Sequence, residues 1–383
     1  SPVDEQIQNV WQRCFRGYLL KGYLEEADAV FAGKSAMMEP VVLNAETKTA
    51  PVESSVHPPV QPIIPIETGL KKPSVCINML FICPALPRPD IGSSNVRVHN
   101  ILKLLSEQGH KIKLFYFGQT EEDEQYTRAW ENRISIEHLA PRSSDLIERI
   151  RTLPIKPDCV WITNLWNPAF CESMHKVVTQ LKPLLPDARI VIDTMDHHAR
   201  KYQRQFQHSR NEKDLAISGQ FADIEARLYG LADRVVVVTQ AEKMSIEASL
   251  PGCSFAVIPN IHILNRNNPG FHQRDNICFI GSLQIRHNAD AVKWFIGDIL
   301  PQIQRHRTAT EFHIMGYGTD KYRDSLSQYE GVKVLGYVDD AEEAVSKYKV
   351  FACPLLYGAG LKGKLGTAVA AGTPFVTTSM GAE

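Results

Sequence analysis

From Val75 onward, short apolar runs alternate with stretches of helical period. Val75–Cys83, Lys111–Phe117, Cys159–Thr163, Arg189–Asp193 and Val235–Thr239 read as strands, apolar and rich in β-branched residues. Between the first two, Asn95–Gln108 puts Val98, Ile101, Leu102 and Leu105 on one helical face. The pattern restarts after Asn260. It predicts strands Ile277–Ile280, Phe312–Met315, Lys333–Leu335, Val350–Pro354 and Phe375–Thr378, with helices over Ala289–Gln304 and from Lys364 to Ala371. Apolar strands alternating with amphipathic helices require parallel sheets covered on both faces. Two such series, joined near 259–275, predict an α/β protein of two facing Rossmann-like domains, 74–260 and 261–383.

The first 73 residues have a different texture. Ile7, Val10, Trp11 and Cys14, then Leu19, Leu20 and Tyr23, and further on Ala27, Val30 and Phe31, recur at helical spacing, so 4–34 reads as a helical hairpin within an extension over 1–44. Two helices this short bury little alone, so docking on another surface, or being the end of a helical module, is expected. Over 45–73 the period vanishes and Pro51, Pro58, Pro59, Pro62, Pro65 and Pro73 punctuate polar residues, the composition of a solvated tether. A proline-rich partner ligand is the weaker reading, because no clean PxxP set with flanking Arg occurs. The chain opens on Ser1 and stops at Glu383 just after a strand. The expectation is a piece of a larger multi-domain protein whose second domain is cut short.

Composition narrows the partners. Forty-two basic residues against 43 acidic ones give a net charge of −1, so no global field holds nucleic acid or an anionic membrane, and any anion site must be local. No apolar run approaches the ~20 residues that span a bilayer, and no basic, apolar, small-residue order marks a secretory signal. A cytoplasmic chain is expected, with peripheral attachment to the inner face of a membrane left open. Cysteines at 14, 76, 83, 159, 171, 253, 278 and 353 form no CxxC pair and mostly sit in apolar runs. They read as reduced structural thiols, and no metal site is expected.

In open α/β sheets ligands bind beyond the carboxyl ends of the strands, which singles out four loops. Pro84–Val96 lacks the GxGxxG of nicotinamide or flavin sites, but Gly92 and Ser93 at a helix start offer backbone N–H groups to an anion or to sugar hydroxyls; a plain capped helix is the alternative. Asp193–Arg200 crowds Asp196, His197, His198 and Arg200 at a strand end, where they can bind hydroxyls, balance phosphate charge and move a proton. Gly281–Asn288 brings Ser282, Arg286 and His287 after a strand, with Arg286 either a phosphate ligand or a solvated charge. Pro354–Thr378 is the most informative: Gly358, Gly360 and Gly363 permit close backbone approach, and Lys362 and Lys364 add charge at a helix start. Physically this is a diphosphate-binding turn, without the spacing of a Walker loop.

Taken in order, these loops resemble those of the GT-B-fold glycosyltransferases, and among them glycosyltransferase family 4. The resemblance covers about 75–383. "FIGSLQIRHNADAVKWFIGDILP", "LGYVDD" and "PLLYGAGLKGKLGTAVAAGTPFVTTSMGAE" are similar to segments of bacterial enzymes that build surface polysaccharides. "IDTMDHHAR" resembles that subgroup's Asp-x-x-Asp-x-His-x-x-Arg segment, and "PRPDIGSSNVR" its N-terminal loop. The resemblance implies sugar transfer from a nucleotide-diphosphate donor to a glycan or lipid-linked acceptor, usually without a bound metal or other cofactor, with retention of anomeric configuration. It implies that the C-terminal domain holds the nucleotide and the N-terminal domain the acceptor. Gly281, Ser282 and Arg286 would lie near the diphosphate, Gly358, Gly360, Lys362, Lys364 and Thr367 along the nucleotide and sugar. Asp196 and His198 would lie near the reacting carbon, and Gly92, Ser93, His197 and Arg200 in the acceptor cleft.

Many family members carry two glutamates eight residues apart in the glycine-rich loop; here those positions hold Ala359 and Thr367. That departure motivates an alternative, a catalytically silent GT-B module that binds or assembles. A nucleotide-sugar epimerase of the same fold is disfavoured by the transferase-like third loop.

Overall fold

The computed structural model describes residues 75–382, apart from 119–122, 129, 131–132, 140–142, 263 and 265–267. The expected hairpin over 4–34 and the tether over 45–73 lie outside the described residues. Compactness divides the chain after Pro73, and everything described belongs to the unit Ser74–Glu383.

Two sheets organise this unit. The first contains β1 (Asn78–Ala85), β2 (Lys111–Gly118), β3 (Ser135–His138), β4 (Cys159–Ile162), β5 (Arg189–Asp193), β6 (Arg234–Val237) and β7 (Phe255–Val257). Their order is β3-β2-β1-β4-β5-β6-β7, parallel throughout. The second contains β8 (Asp275–Ile280), β9 (Phe312–Met315), β10 (Val332–Gly336), β11 (Tyr348–Cys353) and β12 (Phe375–Thr377) in the order β10-β9-β8-β11-β12, again parallel. The two-sheet α/β architecture expected from the hydrophobic pattern is thus the observed one.

Strand residues feed both faces, as the continuous apolar runs require. Phe279 packs with Phe312, Ile314 and Val334 on one side of the second sheet, while Cys278 packs with Met315, Phe351 and Ala368 on the other. In the first sheet, Ile82, Phe115, Val160, Ile162 and Ile192 share a core with Val177 and Leu181 of the crossover helix Pro168–Leu184. The seven described cysteines are all free, and five of them are buried.

One expected helix is not continuous. Over Ala289–Gln304 the chain forms an α-helix Arg286–Trp294, a π turn Phe295–Ile299 and a last α-helical stretch Leu300–Gln304. Pro301 has no N–H to give the Gly297 carbonyl, and the wider π turn absorbs the lost bond.

Topology places the loops. Strand order reverses between β1 and β4 in the first sheet and between β8 and β11 in the second, and ligands collect at such switch points. The loops after β1, β8 and β11 are three of the four that the sequence singles out. The fourth follows β5, the neighbour of β4.

Candidate functional site

The helix α1 (Ser93–Glu107) starts after the β1 loop, and α12 (Gly363–Ala370) starts after the glycine-rich turn that follows β11. Neither N-cap residue, Gly92 or Lys362, caps its helix with a side chain. The two starts touch: a Cβ on Gly363 would collide with Ser93, and Asn260 Nδ2 lies 3.2 Å from the same point. The positive poles of two helix dipoles therefore converge where the halves meet, an arrangement that a bound anion relieves.

Ammonium groups reinforce it. Lys362 is 8% exposed and folds back on the turn, its Nζ donating to the Ala359 and Gly360 carbonyls at 2.8 and 2.7 Å. Lys364 Nζ donates to Asn288 Oδ1 and lies 4.6 Å from the centre of the Phe279 ring. Burial pushes the Lys364 ammonium down to about 8; Cys353 opposes the shift and the charge of Lys362 adds to it. His287 is held well below the usual imidazole range by burial, then by the charges of Lys364, Lys201 and Lys362. Three lysines thus gather round one neutral imidazole. Gly281 (φ +154) allows this closeness: Asn288 Nδ2, Lys364 Nζ and a Phe279 ring carbon all lie within 3.3 Å of where its Cβ would stand.

The β5 loop comes from the other side. Asp196 Oδ1 occupies the space a Cβ on Gly360 (φ +68) would need, so only glycine fits there. Asp196 Oδ2 accepts from Lys201 Nζ at 3.2 Å, and that carboxylate holds the Lys201 ammonium above its usual value despite burial. His198 is buried and stacked on Phe221 at 4.8 Å. Burial lowers the His197 pKa, with Glu225 opposing. Arg200 makes no hydrogen bond or ion pair among the described residues, whereas Arg204 Nη1 reaches the Gly358 carbonyl at 2.9 Å.

Some expected residues have other partners. Arg286 Nη1 pairs with Asp214 Oδ2 at 3.2 Å, across from the first half of the chain, and its side chain is 46% exposed. Its partner is buried, and the Asp214 carboxylate also accepts from Gln205 Nε2 at 2.8 Å and Ser209 Oγ at 2.7 Å. Arg286→Ala leaves that carboxylate bonded and is expected to cost about 1–3 kcal/mol of stability, which urea titration measures. Ser282 Oγ accepts from Gln284 N at 3.3 Å, and its carbonyl accepts from Asn288 Nδ2 at 2.9 Å. Thr367 is buried in α12. Gly92 (φ +82) has open space around its Cβ position.

The structure brings together Gly360, Lys362, Lys364, Gly281, Asp196 and, through the helix starts, Ser93. It adds Asn288, which ties Lys364 to the β8 loop, and Lys201, which pairs with Asp196; sequence reasoning assigned neither a role. Among the described residues no group of three or more His, Cys, Asp or Glu side chains is arranged to hold a metal, and no helix is long and apolar enough to cross a membrane.

Residues 274–383 match the family described as Glycosyl transferases group 1. No curated protein matches the sequence. In fold, the chain is similar to S. aureus TarM, solved as a mutant in complex with fondaparinux, alpha-GlcNAc-glycerol and UDP: TM-score 0.59, 10% identity, 79% of this chain and 86% of that one. It is similar to HepE of Anabaena in complex with UDP and glucose, at TM-score 0.55 and 13% identity over 80% and 82%. The E. coli trehalose-6-phosphate structure bound with UDP-2-fluoro glucose gives TM-score 0.51 and 12% identity over 79% and 85%. The likeness at these identities is one of fold: the two parallel sheets form a GT-B architecture, and the chain resembles the glycosyltransferases that have it.

Proposed function

We propose that this chain transfers a sugar from a nucleotide-diphosphate donor to a glycan or lipid-linked acceptor, in the synthesis of a surface polysaccharide or glycoconjugate. One observation carries the reading: two helix starts without side-chain caps meet where Lys362 and Lys364 flank a glycine turn pressed against Asp196. Positive charge is set where a diphosphate would sit, at the switch points of both sheets. Solved relatives by fold, TarM and HepE, were crystallised with UDP, which supports a nucleotide occupant.

In this reading Lys364, Lys362 and the α12 start stabilise the charge that grows on the departing diphosphate as the bond from the anomeric carbon to its oxygen breaks. The acceptor oxygen forms the new bond at the same carbon and gives its proton to the oxygen of the departing diphosphate. Asp196, fixed against Gly360, and His198 flank the reacting centre. The lysines supply the compensating charge, so turnover without an added divalent cation is expected, and retention of configuration is proposed from the resemblance.

A second reading rests on Ala359 and Thr367, which stand where many relatives carry glutamates: a module that binds nucleotide but transfers nothing. Calorimetry with UDP, GDP and ADP, followed by hydrolysis and transfer assays with the matching nucleotide sugars, separates the two. Micromolar binding with turnover is the expected result. Binding without turnover favours the silent module, and absence of binding overturns both.

A further inference from the structure

The helix α5 (His198–Ser209) has no cap of its own; its N-cap residue His197 makes no side-chain capping bond. Two carboxylates from other helices take its first N–H groups. Glu242 lies in the first turn of α7 (Gln240–Ser249); its Oε1 accepts His197 N at 2.6 Å and its Oε2 accepts Val238 N at 3.1 Å. Glu225 lies in α6 (Glu212–Leu231); its Oε1 accepts His198 N at 2.9 Å and its Oε2 accepts Ala199 N at 3.3 Å. Each glutamate is 5% exposed. All four carboxylate oxygens are committed to main-chain donors, three of them in the segment that directly follows Asp196.

Glu225 also faces both imidazoles, with Oε2 3.6 Å from His197 Nε2 and Oε1 3.7 Å from His198 Nδ1. The His198 ring also stacks on Phe221, with the ring centres 4.8 Å apart.

The segment these carboxylates hold is strained. Met195 has φ +62, a left-handed conformation that a non-glycine residue adopts at a cost. Such a turn persists only where its surroundings over-determine it. A serine at the N-cap would satisfy a helix start; burying two carboxylates to do so is expensive unless each is fully bonded. The expense is explained if the geometry of 195–198, and not merely the helix, is what must be kept.

We propose that Glu225 and Glu242 are positioning residues: together they lock the strained turn at Met195 so that Asp196 stays seated against Gly360. The proposal rests on the transferase reading for its consequence in turnover, but its structural half stands alone. Glutamine at either position keeps the shape and replaces an acceptor oxygen with an N–H2 that opposes a main-chain N–H.

Glu242 is also a pH-sensitive member of the pair. Burial pushes its carboxyl up to about 6, the Val238 N–H lowers it, nearby Asp196 raises it, and the His197 N–H and His198 lower it. Around it stand Asp196, His197 and His198 of the loop and α5, Glu225 and Tyr229 of α6, and Thr239 of its own helix start. Protonation below about 6 turns one acceptor into a donor and loosens the His197 bond.

The test uses the whole chain with Glu225→Gln and Glu242→Gln. Amide hydrogen exchange at pH 7 is expected to quicken at least about tenfold at His197, His198 and Ala199, with α12 amides unchanged. In turnover, kcat is expected to fall up to about 100-fold with donor KM within a few-fold, and the acid limb near pH 6 in wild type to disappear in Glu242→Gln. If Glu225→Gln does not fold, Glu242→Gln and the exchange of wild type at pH 5 against pH 7 carry the test, with faster exchange expected at His197 at pH 5 after correction for the intrinsic rate. Unchanged exchange at these amides overturns the proposal, as does unchanged kcat beside altered exchange. A wild type that exchanges as expected but binds no nucleotide overturns the transferase reading and leaves the lock in place.

Discussion

Lys364→Met is expected to lower turnover about 100- to 1000-fold, the usual loss when one preorganised donor to a developing anion is removed, with the fold retained. The ammonium is held by Asn288 and Phe279 beside Gly281, so it is fixed before a ligand arrives and costs no reorganisation in the reaction. Its depressed pKa, about 8, adds a pH signature. The group is charged below about 8 and loses its proton as pH rises through that value, so nucleotide-diphosphate affinity should fall above pH 8. Stability moves the other way. Between about 8 and the ordinary lysine value of 10.5 the unfolded chain binds more protons than the folded one, so the contribution of Lys364 to stability rises with pH. Affinity that falls while stability holds distinguishes this titration from alkaline unfolding. Lys364→Arg keeps its charge at all these values and is expected to abolish the alkaline loss of affinity. An affinity of wild type that is flat from pH 7 to 9.5 removes Lys364 from the diphosphate.

Much of this was legible because a parallel sheet announces itself locally. Phe279 and Cys278, or Ile82 and Phe81, must both be apolar when both faces are covered, and runs of that kind at regular spacing leave few architectures. The loops that matter were legible for the same reason: they follow the strands. Where strand signals are weak, the reading fails. β3 is four residues with no fully buried position, and β7 is three; both are edge strands too short to show an alternation. The π turn at Phe295–Ile299 was hidden because Pro301 falls in a helical period that is otherwise intact.

The site was half legible. Glycines and lysines that sit together in sequence, such as Gly358, Gly360, Lys362 and Lys364, advertise a turn. Residues that act across the fold do not. Arg286 lies 72 positions from Asp214, and Glu225 and Glu242 lie 27 and 45 positions from the main-chain groups they hold. Each of these glutamates occupies an ordinary position in an amphipathic or capped helix, and only the fold shows that its carboxylate points inward. Long-range polar partners of buried main chain are the part of a functional site that periodicity cannot carry.

The largest effect on stability is expected at Arg97 and Asp193, which the sequence places in a helix and at the end of a strand without a role for either. Both side chains are 0% exposed, and Arg97 Nη1 lies 2.6 Å from Asp193 Oδ2. The same carboxylate oxygen accepts from Trp161 Nε1 at 3.2 Å, and Arg97 Nη2 donates to the Ile258 carbonyl at 2.9 Å. One guanidinium therefore ties α1 to the end of β5 and to the segment where the first half of the chain passes into the second. Yet the network is incomplete: Asp193 Oδ1 and Arg97 Nε are buried without a partner among the described residues. Removing one member leaves the other as an uncompensated buried charge, which costs about 3–5 kcal/mol. Arg97→Met and Asp193→Asn are each expected to lower stability by that amount in denaturant unfolding followed by fluorescence. Because the native pair itself bears the desolvation of two ions, Arg97→Met combined with Asp193→Leu should recover most of the loss. A double variant no more stable than the singles would mean that the bond to Ile258, and not the ion pair, is what holds α1 in place.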